Sequence, residues 1–479
     1  ETDPVNILAL AAFAILAFSP GALFDISFQL SFLALWGILV ITPILLNCYR
    51  WDRKGLVYRI IQFAAVSAAA ITATLLPVAY TFHRVSIVGI LSNFVVVPLL
   101  GYGAVITGFS ALILSPFLPG AAEPLLRLAS YLVSWSDHAI FWIDRIPQLP
   151  RFTATLLQVA LSICLLAALT LIKSPRNRLI ACVLIFAISC FDLLVDKNVD
   201  NDKLKLFFFS VGHGDSTFIR FPDGSNMLVD GGGALQEGGF DVGERLVAPA
   251  LWSIGVDRID RMVLSHPHPD HVRGLVSVAR NFTVGEFWDN GHGSGFPPYL
   301  ELKKLLESRG VTTRVIDGRT PSSITGGALI EPLAPPPASG LSREIHSGDW
   351  ETNEESLVFR ISMERFSLLF TGDAGFVSES ELLRKKQRLA STVLKVAHHG
   401  SRYSSSIPFL KAVSPRLSLI SAGYRNNFHL PAAETVTDIK KTGSQIHRTD
   451  IEGTLELTVS PSSGEFESRK YPPRRIDTY

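Results

Sequence analysis

Three histidines and an aspartate fall within six consecutive positions of the run Leu264-Ser-His266-Pro-His268-Pro-Asp270-His271-Val-Arg-Gly274. Neutral imidazole nitrogens suit zinc and other borderline divalent ions, and a carboxylate adds charge to the set. Pro267 and Pro269 fix φ between the candidate ligands, so the loop presents them at little ordering cost. In this spacing His266 and His268 can serve one ion while Asp270 and His271 serve a second. The run follows apolar Arg261-Met-Val-Leu264 and precedes a helix-like segment, which makes it a strand-to-helix loop with converging side chains.

The elements that must position this loop repeat one design, an apolar strand ending abruptly in a ligand-type residue. Met227-Leu-Val-Asp230 runs into Gly231-Gly-Gly233, Phe366-Ser-Leu-Leu-Phe-Thr-Gly-Asp373 ends likewise, and Thr392-Val-Leu-Lys-Val-Ala-His398-His399-Gly400-Ser401 is the last. Strand ends gathered at one edge would surround the 264–274 loop with them. Asp230 is expected beside a liganding imidazole, fixing its tautomer and orientation; the plainer reading is a turn aspartate before glycines. His429, in Asn426-Asn-Phe-His429-Leu-Pro431, is a proton donor, a phosphate contact or a structural turn residue.

Further strand-like runs are Leu206–Phe209, Ser216–Arg220, Thr312–Ile316, Ser356–Ile361 and Leu417–Ile420, with helices over Pro298–Arg309 and Val377–Leu389. This alternation suits two sheets covered by helices.

Over the 479 residues, hydrophobic types make up 47% and net charge is +1. The apolar surplus sits before about residue 197. Ala22–Leu46, Ile60–Tyr80, Thr153–Ile172 and Leu179–Val195 are long enough to cross a bilayer. Ser86–Leu118 is interrupted by Pro98, Gly101 and Gly103, which predicts a broken or re-entrant pair. Asp25, Gln29 and Asn93 are polar within these spans, expected to face a bundle interior or aqueous path, or to bond helix to helix. Glu123–Ile146 reads as an amphipathic helix, interfacial or lining a groove. The chain starts at Glu1 in apolar sequence with no basic leader, so a membrane domain is expected to extend upstream.

All four cysteines lie in the apolar half, which argues against a disulfide framework and for a metal site without thiolate. Basic Arg50–Arg59 and Lys173–Arg178 belong on the cytoplasmic side, so the last span runs outward and the polar half is extracytoplasmic. Expected boundaries are 1–197 for the membrane domain, 198–205 for a linker, 206–470 for the metal-bearing domain and 471–479 for a tail.

With Val211-Gly-His213-Gly-Asp215, the Asp-Gly-Gly turn, the His-rich loop, Leu-Leu-Phe-Thr-Gly-Asp373 and His-His-Gly-Ser assembled, the chain resembles the metallo-β-lactamase superfamily. Together with Asp25-Ile-Ser-Phe-Gln-Leu-Ser-Phe it resembles the ComEC family of competence DNA-uptake channels. The resemblance implies a multi-domain protein, an α-helical transmembrane bundle followed by an αββα sandwich. It implies two divalent ions, zinc or manganese, with His266 and His268 on one, Asp270 and His271 on the other, Asp373 bridging and His399 as last ligand. His398 is then left for transition-state contact, though the adjacent pair is interchangeable at this level. The superfamily usually has a further histidine where this chain reads Thr352-Asn353-Glu354-Glu355-Ser356, so either Asn353 or Glu354 supplies oxygen there or the place stays unfilled. His292 and His346, the other candidates for it, lie in loop-like sequence and are set aside as exposed.

The function so implied is natural transformation: a multi-pass protein of the bacterial inner membrane, working with other competence proteins. Its outer domain would hydrolyse phosphodiester bonds of the non-transported DNA strand, with Asp270, His398 and His429 as catalytic groups. The alternatives are a catalytically silent DNA-guiding domain and a phosphodiesterase for small or cell-wall substrates. A nuclease would favour a basic, aromatic groove near the metals, for which Arg402, Tyr403, Tyr424, Arg425 and Arg448 are available, and Gly231–Gly233 and Gly400-Ser401 would leave room for a phosphate backbone.

Overall fold

The computed structural model describes residues 3–47, 55–82, 89–143, 154–194, 203–233, 240–292, 295–336 and 350–471. His346, Cys48, part of the Arg50–Arg59 loop and linker residues 198–202 lie outside them. The chain divides into two compact units, Glu1–Lys197 and Asn198–Tyr479.

Among the described residues, three helices of the first unit are long and apolar enough to cross a membrane, Ile26–Asn47, Val57–Phe82 and Ser92–Leu114. Small residues let the first two approach closely, since a Cβ on Gly37 would run into Ala73 and meet the Ala69 carbonyl. The expected break near Pro98 does not occur. Helix continues through it, from Gly89–Val96 into a π-helical stretch, Val97–Ala104, that holds Pro98. Leu156–Leu171 and Pro175–Leu194 are also helical, joined by a hydrogen bond between Thr155 Oγ1 and Asp192 Oδ2 at 2.8 Å. Asp25 accepts from Ser27 N at 2.7 Å and Gln29 Nε2 donates to Leu23 O at 2.8 Å, so both are satisfied at the entry of one helix. Asn93 is half-buried on Gly89–Val96.

The second unit starts with β1 (Leu204–Phe208), β2 (Thr217–Arg220), β3 (Asn226–Val229), β4 (Arg258–Val263), β5 (Thr283–Asp289) and β6 (Thr312–Val315). There follow β7 (Ser323–Thr325), β8 (Ala328–Ala334), β9 (Val358–Met363), β10 (Phe366–Phe370), β11 (Val393–Lys395), β12 (Leu417–Ile420) and β13 (Gln445–Arg448). Last come β14 (Thr454–Ser460) and β15 (Glu465–Tyr471). Among the described residues they form two sheets, in the orders β15-β14-β1-β2-β3-β4-β5-β6 and β13-β12-β11-β10-β9-β8-β7.

Leu206, Phe208 and Val229 of one sheet and Phe359, Leu368, Phe370, Val393 and Leu417 of the other share one buried cluster, the core between the sheets. Helices Pro269–Asn281 and Pro297–Ser308 cover the outer face of the first sheet, and Phe376–Arg384, Ile407–Val413 and Ala433–Lys441 that of the second. The result is the expected αββα layering. Sequence pattern explains the strands: β10, buried at every position, is covered on both faces, whereas Thr-Leu-Glu-Leu-Thr-Val-Ser of β14 alternates half-buried and buried.

β3, β4, β5 and β6 are parallel, as are β10, β11, β12 and β13. Parallel strands put their carboxyl ends on one edge. That is how Asp230, the 264–274 loop, Asp373 and the histidine pair come together.

Candidate metal centre

His266 and His268 lie in the loop after β4. Helix Pro269–Asn281 begins with Pro269 in its first turn, where its fixed φ suits a helix start, and with Asp270 beside it, where the helix dipole favours an anion. Asp373 follows β10, and its N–H donates to Ser356 Oγ at 3.0 Å. His398 and His399 follow β11, both with φ near +50° (48° and 53°). Two successive residues in the left-handed region are costly, and here that backbone turns His399 inward.

Single ligand atoms of Asp270, His271, Asp373 and His399 lie within 4.8 Å of one another, all four residues buried. Asp373 stands at the centre. Its Oδ1 is 3.4 Å from His271 Nε2, and its Oδ2 is 3.7 Å from His399 Nε2, 3.9 Å from His266 Nε2 and 3.9 Å from His398 Nε2. The His268 ring lies 4.7 Å from that of His266. His399 Nδ1 sits 3.1 Å from the Ser421 carbonyl, which can only accept, so Nε2 is turned to Asp270 Oδ2 at 3.2 Å.

Asp230 accepts from Ser265 N and Ser265 Oγ, each at 2.8 Å, and faces His271 Nδ1 at 2.9 Å. Glu354 is fully engaged elsewhere: its carboxylate accepts from Gly375 N, Val377 N and Ser378 N, capping Phe376–Arg384. Asn353 Oδ1, by contrast, is buried without a partner, three residues from the Ser356 hydroxyl that binds Asp373 N.

The electrostatics are those of a site short of positive charge. Burial alone would raise the pKa of Asp270 and Asp373, yet His271 and His399 outweigh it and hold both well below the usual carboxylate range. Burial would likewise lower His399, but Asp373, Asp215 and Asp270 push it up to about 9, and His271 is raised by Asp373, Asp230 and Asp270. Burial lowers His266 and His268. Meanwhile His266 Nε2, His268 Nε2, His271 Nε2 and Asp373 Oδ1 are buried with no hydrogen-bond partner. Orphaned donor atoms converging on buried carboxylates fit divalent metal ions.

Two features have no role in the sequence reading, and a third, His292, departs from it. His213 lies 3.8 Å from Asp270 Oδ2, its ring 4.7 Å from that of His399, and burial followed by His399 pushes its pKa down to about 4. Lys395 Nζ pairs with Asp215 Oδ1 at 2.7 Å, both side chains buried. A lone lysine in apolar Thr392-Val-Leu-Lys-Val-Ala was the available signal, because buried cations need partners. His292 is half-buried rather than exposed, with Nδ1 2.9 Å from Glu355 Oε2.

His429 is exposed on the 423–431 loop. The space beside Gly231–Gly233 is already filled: a Cβ on Gly231 or Gly233 would collide with backbone of helix Pro269–Asn281.

Sequence comparison accords with this arrangement. The Competence protein family model matches residues 1–176 and that of the metallo-β-lactamase superfamily residues 210–424. The chain joins a competence domain to a metallo-β-lactamase domain. ComE operon protein 3 of Bacillus subtilis (strain 168) is 25% identical over 503 residues, 97% of this chain and 59% of that protein. Competence protein ComA of Neisseria gonorrhoeae is 27% identical over 451 residues, 93% and 57% respectively. The chain thus spans less than two thirds of either relative. Its metallo-β-lactamase domain holds the Asp/His cluster, and its competence domain holds the three membrane-length helices.

Proposed function

We propose that the metallo-β-lactamase domain is a metal-dependent phosphodiester hydrolase that degrades one strand of DNA while the competence domain passes the other through the bacterial inner membrane. The observation supporting the hydrolase is the convergence of partnerless, buried His266, His268 and His271 ring nitrogens with Asp373 Oδ1. His266 and His268 would hold one ion, Asp270, His271 and His399 the other, with Asp373 between them and Asn353 contributing oxygen. Zinc or manganese, when bound, supplies Lewis acidity toward a phosphoryl oxygen and a lower pKa for water.

The chain's own groups do the positioning. Asp230 fixes the His271 ring through Nδ1, and the Ser421 carbonyl does the same for His399, which favours His399 over His398 as ligand. His398, with 29% of its side chain exposed, is placed to give a proton to the leaving oxygen, and exposed His429 is the second candidate for that step.

The basic Lys173–Arg178 segment supports a cytoplasmic loop there and an extracytoplasmic hydrolase. In the membrane unit, half-buried Asn93 is the residue we assign to a polar path, since Asp25 and Gln29 are satisfied locally. Single-stranded DNA, the bilayer and other competence proteins are the partners this reading requires. The test is cleavage of labelled single-stranded DNA by the full chain with manganese or zinc, beside Asp270→Ala and Asp373→Ala. The proposal expects cutting that needs metal and is lost in both variants.

A further inference from the structure

Exposed aromatic side chains are not scattered over the metallo-β-lactamase domain. Among its described residues they are Phe376, Tyr403, Tyr424, Phe428 and Tyr471, exposed by 43%, 66%, 68%, 55% and 38%. Four of the five lie on the loops, or at the helix start, that surround the metal-type cluster. Phe376 follows Asp373, Tyr403 follows His399, Tyr424 follows β12, and the Phe428 ring stacks on His213 at 4.7 Å with 23° between planes. Phe376 N also donates to Tyr403 O at 3.2 Å, tying two of these loops together. Single exposed apolar residues need no explanation, but aromatics gathered at one buried polar site mark a binding surface.

The loop bearing Tyr424 and Phe428 is braced from within. Asn426 Nδ2 donates to Gly423 O at 2.9 Å and Leu430 O at 2.6 Å, while its Oδ1 accepts from Leu430 N at 3.0 Å. Rings on such a loop meet a ligand at little ordering cost. Charge accompanies them: Arg402 and Arg425 are exposed, and among the described residues neither has a carboxylate at salt-bridge distance. The Arg425 guanidinium lies 5.2 Å from the Tyr424 ring centroid. Flat π faces beside free cations complement a strand that offers unpaired bases and phosphates together.

We infer that Tyr424 and Phe428, with Tyr403 on the neighbouring loop, form a stacking shelf for the unpaired bases flanking the phosphodiester bond to be cut. The inference rests on the hydrolase reading and adds its selectivity. Paired bases already stack on each other and present no free face, so the shelf selects single strands with little regard to sequence.

The deciding experiment is fluorescence anisotropy of the full chain in detergent, with metal chelated. It compares a labelled single-stranded oligonucleotide with one of equal length whose sugars carry no bases. The base-bearing strand should bind about tenfold tighter or more, as expected for at least one stacked base. The ratio should fall toward one in the Tyr424→Ala/Phe428→Ala variant and persist in Tyr424→Trp. Equal affinities in the unmodified chain, or a ratio unchanged in the double alanine variant, would overturn the shelf. DNA cutting alongside equal affinities would remove the shelf and leave the hydrolase. A base-dependent ratio that follows the variants, with no cutting under any metal, would remove the hydrolase and leave the shelf.

Discussion

Asp230 Oδ2 lies 2.9 Å from His271 Nδ1, and the other nitrogen of the same ring faces Asp373 Oδ1 across 3.4 Å. One buried carboxylate therefore sets which nitrogen reaches the cluster. Asp230→Asn should weaken metal binding about 10- to 100-fold while leaving every proposed ligand in place. Isothermal titration with manganese or zinc measures this, and unchanged affinity would return Asp230 to the status of a turn residue.

Metal binding should release protons. Without metal, His399 is held at about 9 and His271 also lies above its ordinary value, because their carboxylate neighbours outweigh burial. Both rings then carry a proton at neutral pH that an ion must displace. Affinity should rise with pH, by up to about a hundredfold per unit while two protons leave, with a shallower slope once pH passes about 9 and His399 has given up its proton. Titrations in buffers of different ionisation enthalpy count the protons; a pH-independent affinity would contradict the assignment.

Asn353 and Glu354 should separate cleanly. Asn353→Ala should weaken one ion and spare thermal stability. Glu354→Ala should spare metal stoichiometry and lower stability by about 1 kcal/mol, as loss of a helix cap does. Metal content after gel filtration, with thermal melts, distinguishes them.

Lys395→Met would leave Asp215 charged and buried. Burial would raise that carboxyl, and at present Lys395 leads the groups that hold it down. We expect a loss of about 3–5 kcal/mol, with much of it recovered in Lys395→Met/Asp215→Leu. Chemical denaturation reads both, and a harmless single substitution would show that the pair carries little.

Much of this site is written in local sequence. Asp230, His266, His268, Asp270, His271, Asp373, His398 and His399 each end an apolar run or start a helix, and parallel strands bring such ends together. Elements with mixed patterns escaped notice: β5 contains Gly285 and Glu286, β8 carries Pro332 at an irregularity, and β14 and β15 are rich in polar residues. Pairings across long sequence distances, Lys395 with Asp215 and His292 with Glu355, have no local signature. The Gly231–Gly233 turn misled in the opposite direction, since glycine permits close approach without saying whether a substrate or the chain's own helix approaches.

The most direct test of the central claim is a metal titration of the stripped, folded chain, following bound ions per chain and single-stranded DNA cleavage in the same samples. The account predicts that cleavage appears as ions fill the Asp/His cluster and is complete at about two per chain, the number that paired-ion hydrolases use. Full loading of a folded chain with no cleavage, or cleavage that persists in Asp373→Ala, would contradict it.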